Sequence, residues 1–142
     1  MSDKDKIIEY IKEFIQTCPL LEDEYVRVDY IGTQMSYTID KLPCDPLIVR
    51  YVDGGAKKQY QFALMSKEQY DEDVRVNIEN SGFYEAFEEW LEEQSLSYSL
   101  PKMPQGKIPV RFETLNSAYL YDIEENKARY RVECRLIYEQ EV

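Results

Sequence analysis

Two dense groups of acidic side chains are the first candidates for chemistry in this chain of 142 residues. They lie at residues 22–24 (Glu-Asp-Glu) and 71–73 (Asp-Glu-Asp). Paired carboxylates can bind a divalent cation or divide general acid and general base roles between them. Neither group has the central Gly and terminal Glu of a calcium-binding loop, and carboxylates before a helix also complement the helix dipole. We therefore predict no metal site. The alternative is a carboxylate-based, metal-dependent enzyme that uses Asp71, Asp73 and Glu79 or Glu24.

The sequence contains no pattern typical of a nucleophilic catalytic site or of a phosphate-binding loop. The chain has no His, which removes the usual general base at neutral pH and every Ser-His or Cys-His nucleophile. Cys18, Cys44 and Cys134 are odd in number and far apart, so they indicate reduced thiols, not a disulfide framework or a paired metal site. The Asp-Gly-Gly-Ala-Lys-Lys stretch at 53–58 lacks the spacing of a phosphate-binding loop. We predict a non-enzymatic protein with no catalytic residue and no cofactor.

Composition and charge narrow the class of partner. The length fits one domain over residues 1–142, and 44% hydrophobic with 32% charged residues is typical of a globular fold. The balance of 17 basic against 28 acidic residues gives a net charge of −11, which argues against direct binding of nucleic acid. No apolar run is long enough to span a membrane, and the N-terminus lacks a secretory pattern, so we expect no membrane partner.

The charges are unevenly distributed along the chain. Residues 71–93 hold nine acidic groups against Arg75, whereas residues 127–135 hold Lys127 and three arginines against Glu133. The arginines alternate with apolar residues and so share one face of a predicted strand. Complementary patches on identical subunits can meet head to tail and close a ring. We hypothesise such self-assembly; the alternatives are that both patches are solvated or that the charges pair within one chain.

The first half of the chain predicts one helix and several strands. An apolar stripe with helical spacing predicts an amphipathic helix over residues 3–18, capped by Ser2 or Asp3 and ended by Pro19. Period-2 alternation predicts a strand at 25–31, and a shorter strand follows at 37–39. The two prolines in residues 43–46 favour an edge or a crossing loop. Strands at 47–52 and 58–65 flank Asp53-Gly54-Gly55-Ala56, a strong hairpin signal.

The second half predicts helix followed by strands. Helical spacing covers residues 71–80 and 82–96, with a break or kink at Ser81-Gly82. Residues 97–107 form a loop, and strands are predicted at 109–115, 118–123 and 128–138, with a turn at 125–126. The fold class is therefore α+β: an antiparallel or mixed β-sheet with helices packed on one face and the other, polar face free.

Several segments of the chain resemble a known family. The most specific are the Val-Asp-Gly-Gly turn at 52–55 followed by QYQFALMS, the helix NSGFYEAFEEW and the strand RYRVECRLIY. Together with QTCPLLEDEYVRVDYIG and LPKMPQGKIPVRFETLNSAYLYDI, they resemble small proteins from the morphogenesis modules of long-tailed phages and prophages of Gram-positive bacteria. Members of this family are called phage minor capsid protein or tail terminator. The resemblance extends from about Ile7 to Gln140.

The resemblance implies a structural role in the virion, with assembly in the host cytoplasm. Tail terminators form hexameric rings at the head-proximal end of the tail tube, where they stop tube growth and present a surface to the head connector. The implied partners are other copies of the chain, the phage tail tube protein and the head connector protein; a monomeric head-to-tail adaptor is the alternative. We predict the following contact residues: Arg129, Arg131 and Arg135 on the basic strand, and Glu85, Glu88, Glu89 and Glu92 on the acidic helix.

Overall fold

The computed structural model describes residues 6–21, 26–28, 36–69, 74–124 and 127–142, with side chains for 6–21, 37–66, 82–116 and 130–142. Two helices and six strands follow one another along the described chain. They are α1 (Ile7–Ile15), β1 (Val26–Val28), β2 (Ser36–Lys41), β3 (Leu47–Arg50), β4 (Ala56–Gln69), α2 (Val74–Leu96), β5 (Lys107–Glu124) and β6 (Lys127–Gln140), with a short 3₁₀ turn at Pro19–Leu21.

The strands form one mixed sheet in the order β1-β2-β4-β6-β5. Only the β1–β2 pairing is parallel among the described strands. Both β2 and β3 pair with β4, so they lie one after the other along the same edge, and the proline-containing stretch 43–46 interrupts them. The backbone N–H groups of Leu42 and Gln59 donate across this interruption to Gln61 and Pro46. Residues 43–46 thus belong to no strand and connect β2 with β3, in agreement with the predicted edge or crossing loop.

The hydrophobic core lies between one face of this sheet and the two helices. Alternate residues of the central strands supply the sheet side, and the helices supply an apolar stripe each. The aromatic rings of Phe14, Trp90 and Phe112 connect α1, α2 and β5, with centroids 5.2 Å apart for Phe14–Trp90 and 5.4 Å for Phe14–Phe112. The fold is α+β with the helices on one face, as predicted. The fully or nearly fully buried residues include Ile11, Ile15, Phe62, Leu64, Tyr84, Phe87, Leu91, Val132, Cys134 and Leu136.

The helical segment in the middle of the chain differs from the prediction. The structure has one helix of 23 residues, and it runs through Ser81-Gly82 without a break. A glycine inside a helix costs only about 1 kcal/mol relative to Ala, and burial of Tyr84, Phe87 and Leu91 outweighs that cost. Of the two alternatives predicted at Ser81-Gly82, a break or a kink, the break is therefore wrong.

The strands predicted at 109–115 and 118–123 are one strand, β5, which begins at Lys107 and extends to Glu124. Its pairing with β6 shifts register four times, between Pro109 and Arg111, Thr114 and Asn116, Asn116 and Tyr119, and Leu120 and Asp122. Bulges of this kind take up extra residues without ending the ladder. Two predicted strands thus merge into one.

The described part of α1 is shorter than the predicted helix. It begins at Ile7 and ends at Ile15, with Lys6 as the N-cap residue and no capping hydrogen bond from its side chain. The proposed caps Ser2 and Asp3 lie outside the described residues, as do most of the strand predicted at 25–31 and the turn at 125–126. The strand predicted at 37–39 is confirmed and extends over Ser36–Lys41.

Candidate interaction surfaces

The acidic side of α2 faces away from the core. Glu85, Glu89, Glu92 and Glu93 are exposed, and Glu88 is half-buried. The helical repeat produces this division, because the residues that pack on the sheet recur every three or four positions and the glutamates occupy the positions between them. In the described part of the chain, no ion pair involves Glu85, Glu89 or Glu92.

A groove of about 800 Å³ runs between the acidic side of α2 and the outer edge of β5. Four glutamates of α2 line it, together with apolar side chains and six consecutive residues of β5, 111–116. Consecutive residues point to both faces of a strand, so the groove follows the strand's edge. We call it the acidic groove. Its charged residues are Glu85, Glu88, Glu89 and Glu92 of α2 together with Arg111 and Glu113 of β5, and its apolar residues are Leu91, Leu96, Phe112 and Leu115.

The end of α2 covers part of the β5 edge beside the acidic groove. The Phe112 N–H donates to Ser95 Oγ at 2.9 Å, and the Tyr98 hydroxyl donates to the Pro109 carbonyl oxygen at 2.7 Å. An edge strand otherwise presents unpaired backbone groups that attract another strand. These two side-chain hydrogen bonds satisfy two of those groups.

The opposite face of the sheet carries the predicted basic residues of β6. Arg135 binds Glu113 of β5 through Nη2 at 2.6 Å and Nε at 2.8 Å, and its Nη1 donates to Gln59 Oε1 at 3.1 Å. Arg131 forms an ion pair with Glu133 at 3.1 Å. The side chain of Arg129 lies outside the described residues. Both described guanidinium groups thus have carboxylate partners within their own chain.

Glu113 lies at the centre of the charge network on this open face. Burial alone would raise the pKa of its carboxyl group. Hydrogen bonds from Arg111 and Arg135 and the charges of both arginines together lower the pKa by more than burial raises it, so the pKa lies below the usual value. The carboxylate of Glu113 therefore remains ionised and binds both arginines.

The acidic helix α2 and the basic strand β6 lie on opposite sides of the sheet, so the predicted contact between them could form only between different copies. This contact between α2 of one copy and β6 of another stays a prediction.

The β3–β4 hairpin is a further surface, and we did not single it out from the sequence. Its strand β3 exposes Leu47, Ile48 and Val49, and Val52 at the turn is fully exposed. The predicted turn is confirmed: Gly54 has a φ of +98°, a conformation that favours glycine, and the Tyr51 N–H donates to the Gly55 carbonyl oxygen at 2.8 Å. We call residues 47–58 the apolar hairpin. Its signal in the sequence was an apolar run directly after the prolines that mark the sheet edge.

The cysteines and acidic clusters add no described site. Cys18 and Cys134 are buried and free, Cys44 is partly buried and free, and burial raises the pKa of the Cys18 and Cys134 thiols. The acidic groups at 22–24 and 71–73 lie outside the described residues. Within the described ranges, no three His, Cys, Asp or Glu side chains are grouped to hold a metal ion.

None of the helices in the described part of the chain has the length and apolar character needed to cross a membrane. No protein-family model matches this sequence, and no curated protein matches it.

Proposed function

We propose that this protein is a structural component of a long-tailed phage that caps the tail tube and joins it to the head connector. Copies of the chain form a ring, for which the resemblance of the hairpin, helix and C-terminal strand segments implies six members. The protein acts through the shape and charge of its surfaces and transforms no substrate.

The observation that carries this proposal is the exposed acidic side of α2 next to the apolar residues of the acidic groove. Glu85, Glu89 and Glu92 have no ion-pair partner among the described residues, and apolar side chains such as Leu96 lie next to them. Charged residues around an apolar centre are typical of protein interfaces. This arrangement favours a contact with another protein chain.

The proposed ring stops growth of the tail tube by covering its end. A ring that binds the last ring of the tail tube covers the surface that the next tube subunit needs, so elongation stops. Its affinity would depend on a few buried contacts more than on total area. The open face of the sheet, with Arg131 and Arg135 on β6, provides a second surface for the tube or the connector. The alternation of the sequence predicts that Arg129 belongs to the same surface.

The net charge suits a ring through which DNA passes. Each chain carries −11, so a ring of six is strongly anionic. Like charges repel the phosphate backbone and discourage the genome from adhering during passage. The protein would assemble in the host cytoplasm and remain in the virion.

Electron microscopy of particles from a prophage tests the proposal. A stop codon in the gene for this chain should yield filled heads without tails and free tail tubes of irregular length. Expression of the intact chain from a plasmid should restore tailed particles with a uniform tail length. Normal tailed particles in the absence of the chain would contradict the proposed function.

A further inference from the structure

We infer that the acidic groove of one copy receives the apolar hairpin of a second copy of this chain. The inference rests on the self-assembly in the proposed function and names the two surfaces that meet. It replaces the basic strand as the partner of α2, because the described arginines of that strand already have carboxylate partners.

The charges of the two surfaces are complementary. The acidic groove contains four glutamates from α2, whereas the apolar hairpin contains Arg50, Lys57 and Lys58 against Asp53. The groove also contains Arg111 and Glu113 of β5, which form an ion pair with each other, so its net charge remains negative. Lys57 lies opposite Glu139 in the β4–β6 ladder. Neither Arg50 nor Lys58 forms an ion pair within the described ranges, so both cations remain available to a partner. Opposite potentials of this kind steer association and set the orientation of the partners.

Both surfaces also expose apolar groups that a contact would cover. Leu47, Ile48 and Val49 of the hairpin are each more than a third exposed, although each is a residue that usually lies in a core. In the groove, Leu96 is 80% exposed and Leu115 is 37% exposed. Apolar groups surrounded by charges of opposite sign on the two partners give a contact with both affinity and specificity.

The fold places the two surfaces at opposite edges of one sheet. The described strands β4 and β6 separate β3 from β5, a distance of about 14 Å at the usual strand spacing. The hairpin of a chain is therefore held away from the groove of the same chain. A contact between two different surfaces of identical subunits is head to tail, and its repetition produces a closed ring or an open filament. The proposed ring requires this kind of contact.

Charge reversal on each surface tests the contact. The groove variant carries Glu89→Lys and Glu92→Lys, and the hairpin variant carries Arg50→Glu and Lys58→Glu. In sedimentation velocity at low salt, each variant alone should associate at least about tenfold more weakly than the natural chain. An equimolar mixture should associate again, because the two lysines introduced in one variant then meet the two glutamates introduced in the other, while the second contact is formed by the two unchanged surfaces.

Two controls separate this contact from general charge effects. Glu9→Lys with Glu13→Lys makes the same charge change on α1 and should leave association unchanged. Arg131→Glu alters the basic strand and should also leave it unchanged. Circular dichroism establishes that each variant is folded.

Three results would overturn the inference: a natural chain that stays monomeric, single-surface variants that associate like the natural chain, or a mixture that fails to associate. Association lost in Arg131→Glu but kept in the hairpin variant would assign the contact to the basic strand instead. None of these results depends on the tail tube. Normal phage tails in the absence of the chain would contradict the proposed function while leaving this contact intact.

Discussion

Arg135 on β6 binds Glu113 on β5 across the open face of the sheet, with Nη2 and Nε both within 2.8 Å of the same carboxylate oxygen. The two residues are directly paired in the β5–β6 register. Arg111 holds the second oxygen of the carboxylate at 2.8 Å. Because the Glu113 carboxylate binds two guanidinium groups, its protonation should change the stability of the folded chain.

We expect the stability that Glu113 contributes to be lost in acid. Its pKa is lower in the folded chain than in the unfolded chain, so the contribution is fully present above the unfolded value and disappears as the pH falls through the folded value. Glu113→Gln should remove this dependence and cost less than about 1 kcal/mol at neutral pH, because the pair is partly exposed. Urea unfolding of both proteins between about pH 7 and pH 3 measures the difference. Equal losses on acidification would show that Glu113 does not contribute.

A second prediction concerns the buried hydrogen bond between the hydroxyl groups of Ser66 and Tyr84. Ser66→Ala or Tyr84→Phe leaves the remaining hydroxyl without this partner, in a site where both residues are almost fully buried. Each single substitution should lower the free energy of unfolding by about 1–3 kcal/mol. The double variant should cost less than the sum of the two, because it leaves neither hydroxyl behind. Costs that simply add would contradict the pairing.

A third prediction concerns Gly82, which lies inside α2. A Cβ atom at this position would meet no heavy atom within 4 Å apart from its chain neighbours and the backbone of its own helix. Gly82→Ala should therefore stabilise the protein by about 0.5–1 kcal/mol through the higher helix propensity of Ala. Gly54→Ala is the matched control and should destabilise, because φ is +98° there. Thermal unfolding that places Gly82→Ala below the natural chain would contradict a continuous helix.

The local patterns in the sequence predicted most of the elements but not their continuity. Strand β6 was predicted from its alternation of apolar and polar residues, and the turn was predicted from Asp-Gly-Gly, because both signals depend only on residues that are neighbours in the sequence. The continuity of α2 through Gly82 depends on burial of Tyr84 and Phe87 against the sheet, which is a tertiary effect. The bulges that join the two parts of β5 also depend on pairing with β6.

The candidate surfaces were predicted in part for the same reason. The acidic side of α2 follows from helical spacing and is exposed in the structure as expected. The ion pair between Arg135 and Glu113 depends on the register of two strands, which the sequence pattern does not specify. The exposure of Leu47 and Val49 depends on their position at the sheet edge, and an apolar run alone does not distinguish an edge strand from a central one.

The number of chains in the oligomer formed by the purified protein tests the central claim most directly. Sedimentation equilibrium of the purified chain over a wide range of concentrations measures it without a tail tube. We predict a species six times the 16.9 kDa mass of one chain, which dissociates as salt rises because charge pairs contribute to the contact. A mass of one chain at every concentration and salt level would contradict the account.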